Sequence, residues 1–295
     1  MKRILLSATF SLLGMSLSFG QYCTGGPSSG ADSNIGSVDL TGAGGTAINY
    51  VASCPGVTGL DNQTGLSIDL EIGASYTIDI DWGTCGGSYG NAGTAWIDFD
   101  GSQTFDVGEE IATWSGSGGT GIISYPFTVP NTAAVGSVRL RVMQQEGGAL
   151  PLNPCGSYTW GSKTDFSVNL ACPSPSVTDV TICTGTSATL NASVSDGTIT
   201  WYDDMMTLLT TGPSYTTPAL SATTAYNVTT TIAAGTCAGE SAPVINTVTV
   251  SPVDVTLNVI DETCAGVSSD GTFSVGSVTC GTAPFIFSVD GGAFG

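Results

Sequence analysis

Apolar residues return at every second position through most of this chain, and that period admits one kind of element. Leu66, Ile68, Leu70 and Ile72 alternate with Ser67, Asp69 and Glu71, while Tyr76, Ile78, Ile80 and Trp82 alternate with Thr77, Asp79 and Asp81. Successive side chains of a β-strand point to opposite faces, so each run carries one apolar and one acidic row. The short link Gly73-Ala74-Ser75 predicts that the two runs pair as a hairpin. Val138, Leu140 and Val142 alternate with Arg139 and Arg141, and a further strand is expected over Asp165 to Leu170. Thr, Val and Ile dominate, and turn residues recur every eight to twelve positions or about that. The chain is predicted to be all-β and built of β-sandwiches.

Three modules are expected behind a leader. Lys2 and Arg3, the apolar run Ile4 to Leu17, and Ser18-Phe19-Gly20 have the order of a signal peptide over 1–20, so the mature chain is expected to begin near Gln21, outside the cytoplasm. The run is too short and too Ser-rich to span a bilayer, no later segment is long enough, and no lipobox precedes Cys23. A jelly-roll-like sandwich is assigned to 21–171. The Pro-rich step Cys172-Pro173-Ser174-Pro175 opens a second module, 172–252, whose short strands, with Trp201 in the third, predict an Ig-like sandwich. A third module, 253–295, offers Val255, Leu257 and Val259, then Phe273 and Val275, then Phe285, Phe287 and Val289 before the turn Asp290-Gly291-Gly292. So few strands cannot close a sandwich, and the chain is expected to be a fragment of a longer polypeptide.

Charge and histidine content narrow the function. The 295 residues contain 24 carboxylates and five cations, and removal of the leader leaves Arg139, Arg141 and Lys163 as the only cations. Nucleic acids and anionic membranes are bound through Lys and Arg, so neither is an expected partner, whereas cations are. The chain has no histidine, which excludes Ser-His-Asp and Cys-His catalysis and His-ligated zinc.

One constellation points to a metal. Asp98, Asp100, Ser102, Thr104, Asp106 and Glu109 place oxygen side chains at positions 1, 3, 5, 7, 9 and 12 of a twelve-residue calcium loop. The sixth position, where a sharp turn calls for Gly, is Gln103, and the preceding Ala95–Phe99 reads as a strand. The expectation is a calcium loop on a β scaffold. Asp79 and Asp81, with Asp69 and Glu71 across the expected hairpin, suggest a glycosidase acid pair, but residues two apart on a strand are read as a polar outer face. Trp96, Trp114, Trp160, Tyr125 and Tyr158 are aromatic candidates for sugar contact. Trp96 is expected in the core, leaving Trp114 and Trp160 as the glycan candidates. Arg139 and Arg141 are expected to pair with nearby carboxylates. The sequons at Asn62, Asn191 and Asn227 are read as chance matches.

Three resemblances organise these residues. Tyr22-Cys23-Thr24, Ala95-Trp96-Ile97-Asp98-Phe99, Phe105 to Ile111, Val138-Arg139-Leu140-Arg141-Val142 and Cys155-Gly156-Ser157-Tyr158-Thr159-Trp160-Gly161 resemble the GEVED domain of proteins from type IX-secreting bacteria. Where that family carries its name-giving motif, this chain reads Gly161-Ser162-Lys163-Thr164-Asp165: both glutamates are lost and a lysine is gained. Ile182-Cys183-Thr184-Gly185, Ala188-Thr189-Leu190, Thr198-Ile199-Thr200-Trp201-Tyr202 and Thr223-Thr224-Ala225-Tyr226-Asn227-Val228 resemble Ig-like repeats of the same surface proteins. Cys264, Ser269-Asp270-Gly271-Thr272-Phe273 and Gly281-Thr282-Ala283-Pro284-Phe285 resemble the SprB-type gliding-adhesin repeat.

Nine cysteines without a Cys-x-x-Cys pair predict disulfides, with one thiol left over. The expected bridges are Cys23–Cys54, Cys85–Cys155 and Cys264–Cys280. Cys237 has two candidate partners: sandwich topology favours Cys172, and the repeat resemblance favours Cys183. The resemblances imply a secreted or cell-surface, non-catalytic adhesion or binding module that meets an extracellular glycan or protein beside further domains of its own polypeptide, and the spacing at 98–109 adds calcium as its expected stabiliser. The alternative is a carbohydrate-binding accessory region of a secreted hydrolase whose catalytic domain lies elsewhere.

Overall fold

A computed structural model describes residues 21–119, 121–260 and 272–280. The leader at 1–20, Cys264 and the expected strand at Phe285–Val289 fall outside the described residues. The described chain is all-β, with one short 3-10 turn at Ala43–Gly45.

Ten strands make the first sandwich: β1 (Pro27–Ser29), β2 (Ser37–Thr41), β3 (Ala47–Val51), β4 (Asp61–Glu71), β5 (Ser75–Asp81), β6 (Gly90–Ile97), β7 (Glu110–Ser117), β8 (Ile122–Thr128), β9 (Gly136–Glu146) and β10 (Tyr158–Ala171). One sheet runs β1-β10-β9-β6-β7 with β4 also on β10, and the other runs β3-β2-β5-β8. The apolar rows meet between them, so Ile68, Leu70, Ile78, Ile80, Leu140, Phe166 and Val168 are all fully buried.

The expected hairpin does not form. β4 pairs in parallel with β10, whereas β5 pairs with β2 and β8 in the opposite sheet. Gly73 (φ 87°) turns the chain from one sheet to the other, with Gly73 N–H donating to Val129 O at 3.0 Å. A hairpin and a sheet-to-sheet corner require the same apolar alternation, so the period fixes what is buried but not which strand is the neighbour. Asp69 and Glu71 therefore lie on one outside face of the sandwich and Asp79 and Asp81 on the other, and no acid pair is formed across a hairpin.

The first sheet is also covered on its outer face. There Ala92, Trp96, Met143 and Leu152 form a second small core under Phe105 and Tyr158. Trp96 is buried as expected of a core residue, but in this outer layer, because its neighbours Ala95 and Ile97 take the inward positions of β6. Beside it, Arg141, Lys163 and Asp165 have no solvent exposure.

The second sandwich has nine strands. They are β11 (Ser176–Val177), β12 (Val180–Cys183), β13 (Thr189–Ser193), β14 (Thr198–Tyr202), β15 (Leu208–Thr211), β16 (Ser214–Thr216), β17 (Thr224–Ile232), β18 (Gly239–Glu240) and β19 (Val244–Ser251). The first edge of the sandwich is split between its sheets: β11 pairs with β13 in one, and β12 crosses to pair in parallel with β19 in the other. Trp201 fills the centre, fully buried, its indole N–H donating to Gly212 O at 3.0 Å. Beyond it, β20 (Asp254–Ile260) and β21 (Thr272–Thr279) pair antiparallel.

Four disulfides staple these parts, and most differ from the expected pairs. Cys23 joins Cys155 and Cys54 joins Cys85, not Cys23–Cys54 and Cys85–Cys155. The amino-terminal segment crosses the outer face of β9 and β10 to reach the loop at Pro154, a path that sequence spacing does not reveal. Cys172 joins Cys237, the option favoured by sandwich topology, with Cα atoms 5.5 Å apart. Cys280 joins Cys183 and not Cys264, so β21 is tied back to the Ig-like sandwich.

Candidate metal centre

Loop 98–109 connects β6 to its antiparallel neighbour β7. Ile97 ends β6 in the core, and Asp98 follows into a fully buried position with its N–H on Arg139 O at 3.1 Å. The chain then turns on Gly101 (φ 72°) and Gln103 (φ 67°) and returns at the buried Glu109. Gln103 thus adopts the left-handed backbone that the sixth position demands, a conformation that costs a non-glycine residue about 1–2 kcal/mol.

Each of Asp98, Asp100 and Glu109 places one carboxylate oxygen within 4.8 Å of the other two. Loop amides point inward at them. Ser102 N–H donates to Asp98 Oδ1 (3.1 Å) and Asp100 Oδ1 (2.9 Å), and Gln103 N–H to Asp98 Oδ2 (3.0 Å). Phe99 N–H donates to Glu109 Oε1 and Asp106 N–H to Glu109 Oε2, each at 2.8 Å. Three of the six expected ligand residues are therefore brought together. The side chains of Ser102, Thr104 and Asp106 instead form an exposed rail, Ser102 Oγ to Thr104 Oγ1 at 2.8 Å and Thr104 Oγ1 to Asp106 Oδ2 at 2.9 Å.

Burial pushes the Asp98 carboxyl above its ordinary range against the hydrogen bonds from Tyr22 and Gln103. Burial raises Glu109 as well, while the Ser102 N–H lowers Asp100. Three carboxylates this close repel one another, and a hard cation with oxygen ligands removes that repulsion.

Sequence reasoning missed Tyr22, whose hydroxyl donates to Asp98 Oδ2 from 76 residues away. Its ring in turn carries the Arg139 guanidinium, 4.6 Å from the centroid. Arg139 and Arg141 do pair with a carboxylate, as expected, but both choose Asp165. Arg141 grips it twice, Nε to Oδ1 at 2.7 Å and Nη2 to Oδ2 at 2.8 Å, and Arg139 adds Nη1 to Oδ2 at 3.0 Å. Lys163 bonds only carbonyls, Pro154 O (2.9 Å) and Gly156 O (3.0 Å), and burial together with the Arg141 charge lowers it to about 8. Lys163 thus fastens the loop that carries Cys155.

The aromatic candidates divide. Trp160 is 46 % exposed, whereas Trp114 is buried. Its indole lies over Gly93, its partner across the strand pair, where a Cβ would meet Trp114 Cε2 at 1.9 Å. The glycine in β6 was the signal for that slot.

These observations define a chain of disulfide-stapled β-sandwich domains. Residues 93–169 match the family profile of the GEVED domain, and residues 172–252 match that of the Ig-like domain, CHU_C associated. No curated protein matches the sequence. Among solved structures, the chain is similar to the native conformation of Escherichia coli alpha-2-macroglobulin (9 % identity over 65 % of this chain and 17 % of that one, TM-score 0.24). It is also similar to the three N-terminal domains of the outer capsid protein Hoc of bacteriophage RB49 (12 % identity, 64 % and 58 %, TM-score 0.25). A third is the Ig1-2 module of the Drosophila receptor protein tyrosine phosphatase DLAR (11 % identity, 65 % and 95 %, TM-score 0.21). The chain spans less than two thirds of the first two. GEVED and Ig-like domains fit a non-catalytic extracellular module, and among the described residues no helix is long and apolar enough to cross a membrane.

Proposed function

We propose that this chain is a calcium-stiffened, non-catalytic adhesion or spacing segment of a larger cell-surface or secreted protein. The observation that carries the reading is the convergence of Asp98, Asp100 and Glu109 from one β6–β7 loop, with main-chain amides already turned toward their oxygens. Calcium tolerates irregular oxygen shells, so a loop that offers three carboxylates and leaves room for water suits it better than magnesium. Binding would lock β6 to β7 at the end of the sheet and, through Tyr22, secure the segment that Cys23 anchors.

The acid rows of β4 and β5 face opposite directions, and Trp114 is in the core, which removes one of the two glycan candidates expected from the sequence. The test is isothermal titration calorimetry of the full chain with calcium. One site with Kd of about 0.1–1 mM, the range of extracellular modules, is expected. It should be lost in Asp98→Asn, and heat that is unchanged by that substitution would sink the reading.

A further inference from the structure

A second site lies beside the acidic loop, between Tyr22, Arg139 and Gln103. Tyr22, Thr24, Leu60, Asn62, Gln103 and Arg139 wall a surface pocket of about 330 Å³. The volume is at the small end of the range for small-molecule sites. Its lining carries one cation and no carboxylate, in a chain of net charge −19. Arg139, Arg141 and Lys163 are the only cations of the described residues, and all three surround the single carboxylate of Asp165. Arg141 and Lys163 are completely buried, so Arg139, whose side chain is 24 % exposed, is the one outlet of that excess positive charge to solvent.

Arg139 is held in place but not used up. One of its five N–H groups bonds Asp165, and its flat face rests on the Tyr22 ring, which fixes the guanidinium plane. Asp165 is already satisfied by two bonds from Arg141, so the ion pair does not depend on Arg139. Around this cation stand neutral hydrogen-bonding groups: the Asn62 and Gln103 amides and the Thr24 hydroxyl. Gln103 is held there in a left-handed conformation. Apolar lining is limited to Leu60 and the ring edge of Tyr22.

We propose that this pocket binds an acidic saccharide, with the sugar carboxylate on Arg139 and the ring hydroxyls on Asn62, Gln103 and Thr24. A planar guanidinium with free N–H pairs matches a carboxylate bidentately, and amide side chains that both donate and accept match vicinal hydroxyls. A peptide carboxylate would use Arg139 equally well but would leave the Asn62, Gln103 and Thr24 groups to water, whereas ring hydroxyls add contacts to them. Tyr22 and Gln103 also bond Asp98, so calcium is held constant in the test, and the metal reading is decided by its own titration.

The test is an NMR titration of the full chain with D-glucuronate, D-glucose and N-acetylalanine at constant calcium and low salt. Glucuronate should bind at least tenfold more tightly than either of the others, and added sodium chloride should weaken it. Arg139→Gln should cost at least tenfold. Asn62→Asp keeps the side-chain oxygen that accepts the Thr64 N–H and adds a negative charge to the wall, so it should abolish glucuronate binding in a folded protein. Equal binding of glucose, tighter binding of N-acetylalanine, no glucuronate binding, or affinity unaltered in the folded Asn62→Asp variant would each overturn the proposal.

Discussion

Calcium should raise the melting temperature of the first sandwich by an amount that can be bounded. A ligand that binds only the folded state adds RT ln(1 + [L]/Kd), which at ~10 mM calcium and Kd of ~0.1–1 mM comes to about 1.4–2.7 kcal/mol. For a domain near 150 residues, each kcal/mol is worth about 2–4 °C, so the shift should be roughly 3–10 °C. Differential scanning calorimetry of the full chain, in calcium and then in excess chelator, reads it directly. Glu109→Gln retains an oxygen for the Phe99 N–H but removes the charge, and should abolish most of the shift. The pH dependence has a definite sign. Asp98 and Glu109 are raised by burial, so without metal these two carboxyls take up protons more readily in the folded than in the unfolded chain, and their contribution to stability grows as the pH falls toward the carboxylate range. Protons and calcium therefore compete, and the calcium shift should shrink over that same interval. Endotherms that coincide with and without calcium at neutral pH would refute the reasoning.

Two further outcomes follow from the packing. Gly93→Ala drives a methyl group into the Trp114 indole and should destabilise the first sandwich by about 1–3 kcal/mol or more, read as a lower urea midpoint. Lys163, lowered to about 8 by burial, releases its proton earlier when folded than when unfolded, so its penalty is relieved as the pH rises through that value. Stability should gain about 2 kcal/mol by pH ~9.5, and Lys163→Met should lose that slope in urea titrations at several pH values.

The inward rows of both sandwiches were legible because burial and period two coincide at Ile68, Leu70, Ile78 and Ile80. The convergence of Asp98, Asp100 and Glu109 was legible too, since the three belong to one short loop and local spacing places them. Strand partnership was not. The parallel pairing of β4 with β10 and the corner at Gly73 are decided by contacts about a hundred residues apart, on which an alternating pattern is silent. The same holds for Cys23–Cys155 and for Tyr22 on Asp98, each of which depends on a segment crossing the outer face of a sheet. Trp114 went astray for a local reason: a Gly- and Ser-rich surrounding suggested exposure, yet Gly93 is what creates room for the indole inside.

Cys172–Cys237 and Cys183–Cys280 interlace, and the consequence is mechanical. A pull along the polypeptide from Cys172 to Cys280 has a shortcut through the second bridge, so tension passes from Cys183 to Cys280 without stretching the chain between them. With 97 residues of separation shielded, about 330 Å of slack is withheld at ~3.4 Å per residue. Under load the Ig-like sandwich and the hairpin after it behave as an inextensible link, and only a reductant would release the hidden length.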